Sequence, residues 1–159
     1  MTNGFTAWKD NLLYERKIDD AEASAPTRVR VAGARDHHAV ATIFIQSFPD
    51  SDHCLPSLGK REQEGFRHYL LEDGDTPVAA AAVHDAGRRA WLKLIAVRPG
   101  VRGKGHSRTL LSGIITEEAK RRTRLLGLEV LADNAAAVKL YDGGGFKRRW
   151  TATVMTGPV

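Results

Sequence analysis

A short basic segment rich in glycine follows an apolar run of the chain and precedes an amphipathic one. It reads Arg102-Gly103-Lys104-Gly105-His106-Ser107. The two glycines lack a Cβ atom, so backbone N–H groups there can come close to a ligand. The first turn of the predicted helix adds N–H groups without partners and the positive end of a helix dipole. Together with Arg102 and Lys104, these donors suit a phosphate group. The alternative is an ordinary strand-to-helix loop whose basic residues lie in solvent.

A second segment whose residues could take part in chemistry lies further along the chain, from Leu128 to Phe146. A strand-like apolar run ends at Asp133 and Asn134, either of which is suited to cap the start of a helix. Apolar residues then recur at helical spacing, and three consecutive glycines end the helix before a new strand. The residues that share the helix face are Ala137, Leu140 and Tyr141. The pattern predicts a short, capped helix that carries a tyrosine.

The two segments together resemble the signature motifs of the GCN5-related N-acetyltransferases, the GNAT family. The family's diphosphate loop reads Gln/Arg-x-x-Gly-x-Gly/Ala, which residues 102–107 match except at Ser107. The family's usual Val-x-Pro stretch precedes it as Val97-Arg98-Pro99. The closing motif, Asn-x-x-Ala-x-x-Leu-Tyr followed by Gly-Phe, is matched from residue 134 to residue 146. The resemblance extends from about residue 28 to residue 156 and is absent from the first 25 residues.

The resemblance implies direct attack of an amine on the thioester carbonyl of an acyl-CoA, with acetyl-CoA as co-substrate. We expect no metal, because no spacing of His, Asp, Glu or Cys suggests a metal site. It implies that residues 102–107 hold the diphosphate of CoA. By the same resemblance, the Ile95 backbone N–H stabilises the oxygen of the tetrahedral intermediate, and the Val97 backbone pairs with the pantetheine arm. Asn134 matches a residue that binds the pantetheine region. Tyr141 matches the catalytic tyrosine that protonates the departing thiolate. Their alternative roles are a helix cap for Asn134 and a packed aromatic ring for Tyr141.

No residue stands out as the base that accepts the proton of the attacking amine. Trp91 and Lys93 occupy the predicted strand where other members of the family often place Glu or His. Cys54 next to His53 has the residue types of a nucleophile pair, but neighbouring residues on an extended chain point apart. We expect His37 and His38 to be solvated in the first turn of a helix. The remaining candidate bases are Asp50, Asp52, His53 and His84, or a chain of water molecules.

The sequence therefore predicts an acyl-CoA-dependent N-acyltransferase that acts on a primary amine of a small molecule or a peptide. The alternative from a different class is a non-catalytic domain that binds or senses acyl-CoA, which the missing strand carboxylate favours. A nucleic-acid-binding module is the third hypothesis, and it rests on the net charge of +5. The densest basic run, residues 120–124, falls at the predicted end of a helix, where positive charge complements the dipole. No nucleic-acid motif is present, so we expect no nucleic-acid partner.

Composition limits the class of protein further. The 159 residues are 42% hydrophobic and 27% charged, as in one ordinary globular domain. The lone cysteine, Cys54, excludes an intramolecular disulfide and is typical of a reducing compartment. The longest run of small apolar residues, from Val78 to Val83, is too short to span a bilayer, and no signal peptide is visible. We expect a cytoplasmic protein without a membrane partner.

The order of predicted elements favours a mixed α/β fold. By the resemblance, a mostly antiparallel central sheet is flanked by helices and is splayed at the acyl-CoA site. Capping and apolar spacing predict helices at residues 36–48, 60–65 and 105–122, besides the short tyrosine helix. Predicted strands cover residues 28–31, 68–72, 77–84, 90–97, 125–131 and 146–155.

The first 25 residues are predicted to be a separate extension, and residues 26–159 to form the acetyltransferase domain. The extension reads as a helix over Ala7–Ile18, with Phe5, Trp8, Leu12 and Leu13 on one side. Such a helix packs either on its own domain or on a second copy of the chain, which would give a homodimer. A specific partner-binding arm and a disordered leader are the alternatives.

Overall fold

The computed structural model describes residues 7–156, and side chains for residues 10–153. The strands are β1 (Ala7–Lys17), β2 (Val29–Val31), β3 (Phe66–Asp73), β4 (Thr76–Ala86), β5 (Arg89–Val97), β6 (Leu125–Leu131) and β7 (Lys147–Thr156). The α-helices are α1 (His37–Ser47), α2 (Leu58–Gln63), α3 (His106–Lys120) and α4 (Ala135–Gly143). Within the described residues, no helix combines the length and hydropathy needed to cross a lipid bilayer. The chain divides into two compact units, Lys17–Leu126 and the residues up to Arg16 together with those from Gly127 onward.

The unit Lys17–Leu126 contains four antiparallel strands in the order β2-β3-β4-β5. His68 pairs with Ala82, and Ala82 pairs with Leu94, so these three side chains lie on one face of the sheet. Helix α1 packs on that face with Val40, Ala41, Ile43 and Phe44, all buried. Four consecutive alanines, residues 79–82, are fully buried in β4, and their small side chains leave room for packing on both faces.

A buried ionic network attaches α3 to β3. The Glu118 carboxylate, which is fully buried, accepts two hydrogen bonds from Arg67 Nη2 at 2.8 and 2.9 Å. The hydroxyl groups of Tyr69 and Thr123 donate to the same carboxylate. Burial and the neighbouring carboxylate raise the pKa of Tyr69 well above its ordinary range. Since a buried charge is stable only when it is fully paired, this network fixes the orientation of α3.

Gly113 lets the middle of α3 approach β2 closely. An ideal Cβ at Gly113 would clash with the Val29 side chain and lie 2.6 Å from Thr27 Oγ1. We therefore expect Gly113→Ala to lower the free energy of unfolding by about 1–3 kcal/mol, as overpacking does. The matched control is Gly59→Ala in α2, where a Cβ meets no atom within 4 Å. Helix propensity favours alanine over glycine there by about 1 kcal/mol. Urea denaturation should therefore show a lower free energy of unfolding for Gly113→Ala and a higher one for Gly59→Ala. Equal stability of both variants would contradict close packing at Gly113.

The second unit shows that the predicted helix over residues 7–18 is wrong. Its strands follow the order β6-β1-β7, so β1 is a central strand where the sequence pattern predicts a helix over residues 7–18. Leu12, Leu13 and Tyr14 are all buried, and the register with β7 shifts between Leu13 and Tyr14, which marks a β-bulge. Apolar spacing in this segment fits a helix as well as an irregular strand, and pairing with distant strands decides the outcome. Phe5 and the side chain of Trp8 lie outside the described residues. The separate status of residues 1–25 stays a prediction.

The other predicted elements are confirmed to within a few residues. Each of the six predicted strands and each of the helices α1 to α4 is present at its expected place. One detail differs at the start of α1. Asp36 occupies the N-cap position but makes no capping bond; its carboxylate instead accepts from Arg30 and from the Gly33 N–H. The Arg30 guanidinium lowers the pKa of Asp36 to about 2.

Candidate functional site

The glycine-rich loop begins where β5 ends at Val97. A short 3-10 turn, Pro99–Val101, leads into Gly103 and Gly105, whose φ angles are +82° and +81°. These left-handed conformations are disfavoured for residues with a Cβ, so glycine is required by the path of the chain. An ideal Cβ at either glycine would meet no atom within 4 Å, so the backbone of the loop is open to an approaching ligand.

Helix α3 presents an uncapped N-terminus at this loop. Gly105 is the N-cap residue and has no side chain to satisfy the first N–H groups of the helix. Lys104 and Arg108 are exposed beside it, and Ser107 is half-buried. The His106 ring is buried, and within the described part of the chain its Nε2 atom has no hydrogen-bond partner. Free N–H groups, a helix dipole and two cations fit the diphosphate of a CoA.

A cleft of about 580 Å³ borders the same helix terminus. Its cationic lining consists of Arg28, Lys104 and Arg108, and Thr27, Thr109 and Ser112 add hydroxyl groups. Positive charge around a concave surface attracts polyanionic ligands. The cleft therefore extends the anion-binding character of the loop along one side of α3.

Arg102 has a structural task that its sequence motif does not reveal. Its Nε atom donates to the Val97 carbonyl at 3.1 Å, and its Nη2 atom donates to Ser47 Oγ at 2.9 Å. These bonds tie the start of the loop to the end of β5 and to the C-terminus of α1. Part of the Arg102 guanidinium therefore positions the loop, whereas Lys104 and Arg108 are the cations next to the helix terminus.

Strand β5 contains a β-bulge just before the glycine-rich loop. Leu94 pairs with Ala82 and Leu92 pairs with Val83, which leaves Lys93 as an extra residue. Regular alternation would place Trp91 and Ile95 on one face, but the bulge puts them on opposite faces. Trp91 pairs with His84, and the cationic ends of Arg89 and Lys93 lie 5.3 and 5.9 Å from its ring centre. No residue pattern in this strand signals the bulge.

Asn134 and Tyr141 lie on α4, in the second unit. Asn134 is the N-cap of this helix, and its Oδ1 accepts from the Ala137 N–H at 3.2 Å. The amide NH₂ of Asn134 takes no part in that bond, so the capping role and a ligand-binding role are compatible. The Tyr141 ring is buried, with ring centres of Phe146 and Tyr14 at 5.7 and 6.4 Å. Burial raises the pKa of Tyr141 to about 12, so its hydroxyl keeps its proton at neutral pH.

The candidate bases have distinct surroundings in the unit Lys17–Leu126. Asp52 is exposed and pairs with Arg61 at 3.6 Å, and His84 Nε2 lies 3.2 Å from the Glu64 carbonyl oxygen. Asp50 is exposed. The His53 side chain is buried and forms a hydrogen bond with His68.

Cys54 Sγ donates to Ser57 Oγ at 3.6 Å, whereas the His53 Nδ1 atom faces His68. This geometry gives no support to a nucleophile pair of Cys54 and His53. The prediction that His37 is solvated is wrong, because α2 lies against the N-terminus of α1 and Glu62 binds its ring. Among the residues that the structure describes, no group of three or more potential ligands could hold a metal ion.

Comparisons with known proteins agree with this geometry. A sequence model of the acetyltransferase (GNAT) family matches residues 17–146. A relative from Escherichia coli, ribosomal protein bS18-alanine N-acetyltransferase, is 35% identical over 100 residues, which cover 63% of this chain. The matched part spans 66% of that relative.

Solved structures show the same fold. The crystal structure of the ribosomal-protein-S18-alanine N-acetyltransferase from Escherichia coli aligns with a TM-score of 0.67 at 30% identity, covering 77% of this chain and 78% of that one. A GNAT-family acetyltransferase from Colwellia psychrerythraea aligns with a TM-score of 0.72 at 17% identity, covering 94% and 56%. The predicted mixed α/β fold of the GNAT type is thereby confirmed. The chain belongs to the GNAT acetyltransferase family.

Proposed function

We propose that the protein is an N-acetyltransferase that uses acetyl-CoA and transfers the acetyl group to a primary amine. The observation that carries the proposal is the open glycine-rich loop at the uncapped N-terminus of α3. That loop matches the motif of the family's diphosphate site, and its open backbone and nearby cations support the same role here. The relatives that are named N-acetyltransferases support the same activity.

Different residues bind different parts of acetyl-CoA. Backbone N–H groups of residues 103–107 bind the diphosphate, and Lys104 and Arg108 add positive charge. The Val97 backbone pairs with the pantetheine arm, and Asn134 binds the same arm through its amide NH₂. The assignment of the Val97 backbone rests on the motif match, whereas those of the loop residues and of Asn134 rest also on their local geometry.

The chemical step needs three groups besides the substrates. The amine nitrogen attacks the thioester carbonyl carbon, a C–N bond forms, and the C–S bond then breaks. The Ile95 N–H stabilises the negative charge that develops on the carbonyl oxygen. Tyr141 donates its phenolic proton to the departing thiolate sulfur, because its raised pKa keeps that proton in place until then. The proton of the attacking amine leaves to a base or to solvent.

The acceptor is an amine of a peptide or of a small molecule. The names of the Escherichia coli relatives refer to an alanine of ribosomal protein bS18, so a peptide N-terminus is the first acceptor to test. The direct assay incubates the protein with acetyl-CoA and one amine at a time, and detects released CoA with a thiol reagent. The panel comprises peptides that begin with alanine, polyamines, aminoglycosides and free amino acids, each compared with a peptide whose N-terminus is already acetylated.

We expect CoA release that depends on one class of acceptor, with a matching acetylated product by mass spectrometry. Binding of acetyl-CoA without acceptor-dependent release across the whole panel would instead support a non-catalytic acyl-CoA sensor. Absence of both binding and release would contradict the proposal.

A further inference from the structure

Four side chains from four separate segments form a continuous hydrogen-bonded chain in the unit Lys17–Leu126. His53 Nδ1 lies 3.0 Å from His68 Nε2, and His68 Nδ1 lies 3.1 Å from Glu62 Oε2. The other oxygen of Glu62 lies 3.0 Å from His37 Nε2. We call His37, Glu62, His68 and His53 the histidine latch. It connects the N-terminus of α1, helix α2, strand β3 and the segment Phe48–Ser57.

The latch is largely withdrawn from water at its centre. His68 is fully buried on β3, and His53 is 6% exposed. The ring of Phe66 lies 4.6 Å from the His53 ring in an edge-on arrangement, and Phe44 lies 6.2 Å away. The His53 ring therefore fills an aromatic pocket that also contains one of its hydrogen-bond partners.

Two side chains join the segment Phe48–Ser57 to the sheet: Phe48 packs against the core at the start of the segment, and His53 binds His68 in its middle. The backbone hydrogen bonds of this segment are local, from Ser51 N–H to Phe48 and from Ser57 N–H to Cys54. The His53 ring, by contrast, reaches a strand fifteen residues later in the chain. Loss of the ring contact would leave the part of the segment after Phe48 with local bonds and the ion pair between Asp52 and Arg61.

The hydrogen-bond pattern selects one set of tautomers. With both rings neutral, His68 donates from Nδ1 to the Glu62 carboxylate, so its Nε2 atom accepts. His53 must then donate from Nδ1 to His68, and its Nε2 atom carries a lone pair. A proton added to His53 would leave that bond intact, but burial disfavours the cation more than the Asp52 carboxylate, 4.0 Å from Nε2, favours it. A proton added to His68 would remove the acceptor that His53 needs.

Both histidines favour the neutral state in the folded protein. Burial and the adjacent His68 lower the pKa of His53 to about 4, and burial lowers the pKa of His68. Charged and titratable groups face this pair from every packed element: Asp52 on the segment, Arg61, Glu62 and Glu64 on or just after α2, His37 on α1, and His84 on β4. Because its pKa is lowered, His53 stabilises the state in which the segment Phe48–Ser57 is held against β3. This contribution is fully present above the pKa of a free histidine, about 6.5. That contribution is lost as the pH falls from there towards 4.

We propose that the histidine latch is a proton-sensitive device that positions the segment Phe48–Ser57 and, through it, the glycine-rich loop. It holds the segment against β3 while His53 and His68 are neutral, and it releases the segment when one of them takes up a proton. The link to the active site is Ser47, which immediately precedes the segment and accepts a hydrogen bond from Arg102 of the glycine-rich loop. The consequence for acetyl-CoA binding rests on the proposed acetyltransferase function, whereas the release itself does not.

Amide hydrogen exchange of the substrate-free protein tests the release. The probes are the N–H groups of Ser57 and Leu58, which both donate to the Cys54 carbonyl, and the reference is the amides of residues 110–116 in α3. Each rate is divided by the rate of an unstructured peptide at the same pH. Between pH 6.5 and pH 5 we expect protection of the probes to fall about tenfold, with the α3 reference unchanged. Constant protection of the probes would overturn the proposal.

Three variants distinguish release of the histidine latch from a general loss of stability in acid. His53→Phe keeps an aromatic ring in the pocket but cannot titrate, so most of the pH dependence of protection should disappear. His68→Gln removes the titrating partner on β3 and should lower protection already at pH 7.5. The matched control is His38→Gln, which changes an exposed histidine next to His37 and should behave like the parent. A full tenfold loss in His53→Phe would contradict the proposal.

The kinetic consequence is a rise in KM for acetyl-CoA below pH 6, because release of the segment loosens the bond between Ser47 and Arg102 that helps to position the glycine-rich loop. Both substrates carry groups that titrate, so KM for acetyl-CoA is compared between parent and His53→Phe at each pH, where that effect cancels. A parent-to-variant ratio that rises as the pH falls supports the positioning role, and a constant ratio contradicts it. If no amine is acetylated at all, the proposed function fails while the exchange experiment still decides whether the latch releases.

Discussion

We expect Gly105→Asp to abolish the stabilisation that acetyl-CoA is proposed to give to the parent protein. A ligand that binds only the folded state raises stability by about 2.7 kcal/mol at one hundred times its dissociation constant, which calorimetry or a dye-based melt detects easily. The substitution puts a carboxylate at the uncapped N-terminus of α3, where the diphosphate is proposed to bind. Repulsion between the two anions should remove the melting shift at millimolar acetyl-CoA.

Two control variants separate the charge from the backbone. Gly105 has a φ angle of +81°, so any side chain there strains the loop by about 1–2 kcal/mol. Gly105→Asn has nearly the same size, tolerates positive φ better than most residues and carries no charge, so it should retain part of the shift. Gly74→Asp puts the same residue at a φ of +63° in the turn between β3 and β4 and should retain the whole shift. If Gly105→Asp keeps the parental shift, the diphosphate does not lie at this helix terminus.

The features that the sequence predicted well are those that local rules determine. The open turn at Gly103 and Gly105, the N-terminus of α3 and the Asn134 cap each depend on a few adjacent residues. The same holds for the strands of the unit Lys17–Leu126, because their apolar patterns are read directly from the chain. The candidate diphosphate loop is therefore predictable from its own residues and their immediate neighbours.

The features that the sequence did not predict depend on partners that are distant in the chain. Strand β1 is extended because it pairs between β6 and β7, and no local pattern indicates that pairing. The bulge at Lys93 changes which β5 side chains share a face, yet a single extra residue has no sequence signature. The histidine latch joins His37 to a residue twenty-five positions away, whereas the local pattern around His37 predicts a solvated helix residue. Long-range contacts decide such positions.

The prediction with the largest kinetic effect concerns Tyr141. If its hydroxyl protonates the departing thiolate, Tyr141→Phe should lower turnover by about 10²–10⁴-fold, which is typical for the loss of a general acid. The ring packs against Phe146 and Tyr14, and phenylalanine preserves that packing. Affinity for acetyl-CoA and the melting temperature should therefore stay close to those of the parent. This one variant would therefore keep its affinity for acetyl-CoA while its turnover falls.

Tyr14→Phe is the matched control for this experiment. Tyr14 is a buried tyrosine next to Tyr141, and within the described residues its hydroxyl has no hydrogen-bond partner. Removal of that hydroxyl should leave turnover unchanged and should cost no stability, because no hydrogen bond to a described residue is lost. Equal losses of turnover in both variants would indicate a packing effect on α4 instead of proton donation.

The rate of the acetyl-transfer step itself decides the case in which steady-state turnover changes little. Product release can limit turnover and hide a slower chemical step, so rapid mixing of the acetyl-CoA complex with the acceptor is the appropriate measurement. A slower first turnover in Tyr141→Phe, with Tyr14→Phe equal to the parent, supports Tyr141 as the proton donor. The assignment is wrong if the first turnover of Tyr141→Phe equals that of the parent, because the thiolate would then leave without a proton from this residue.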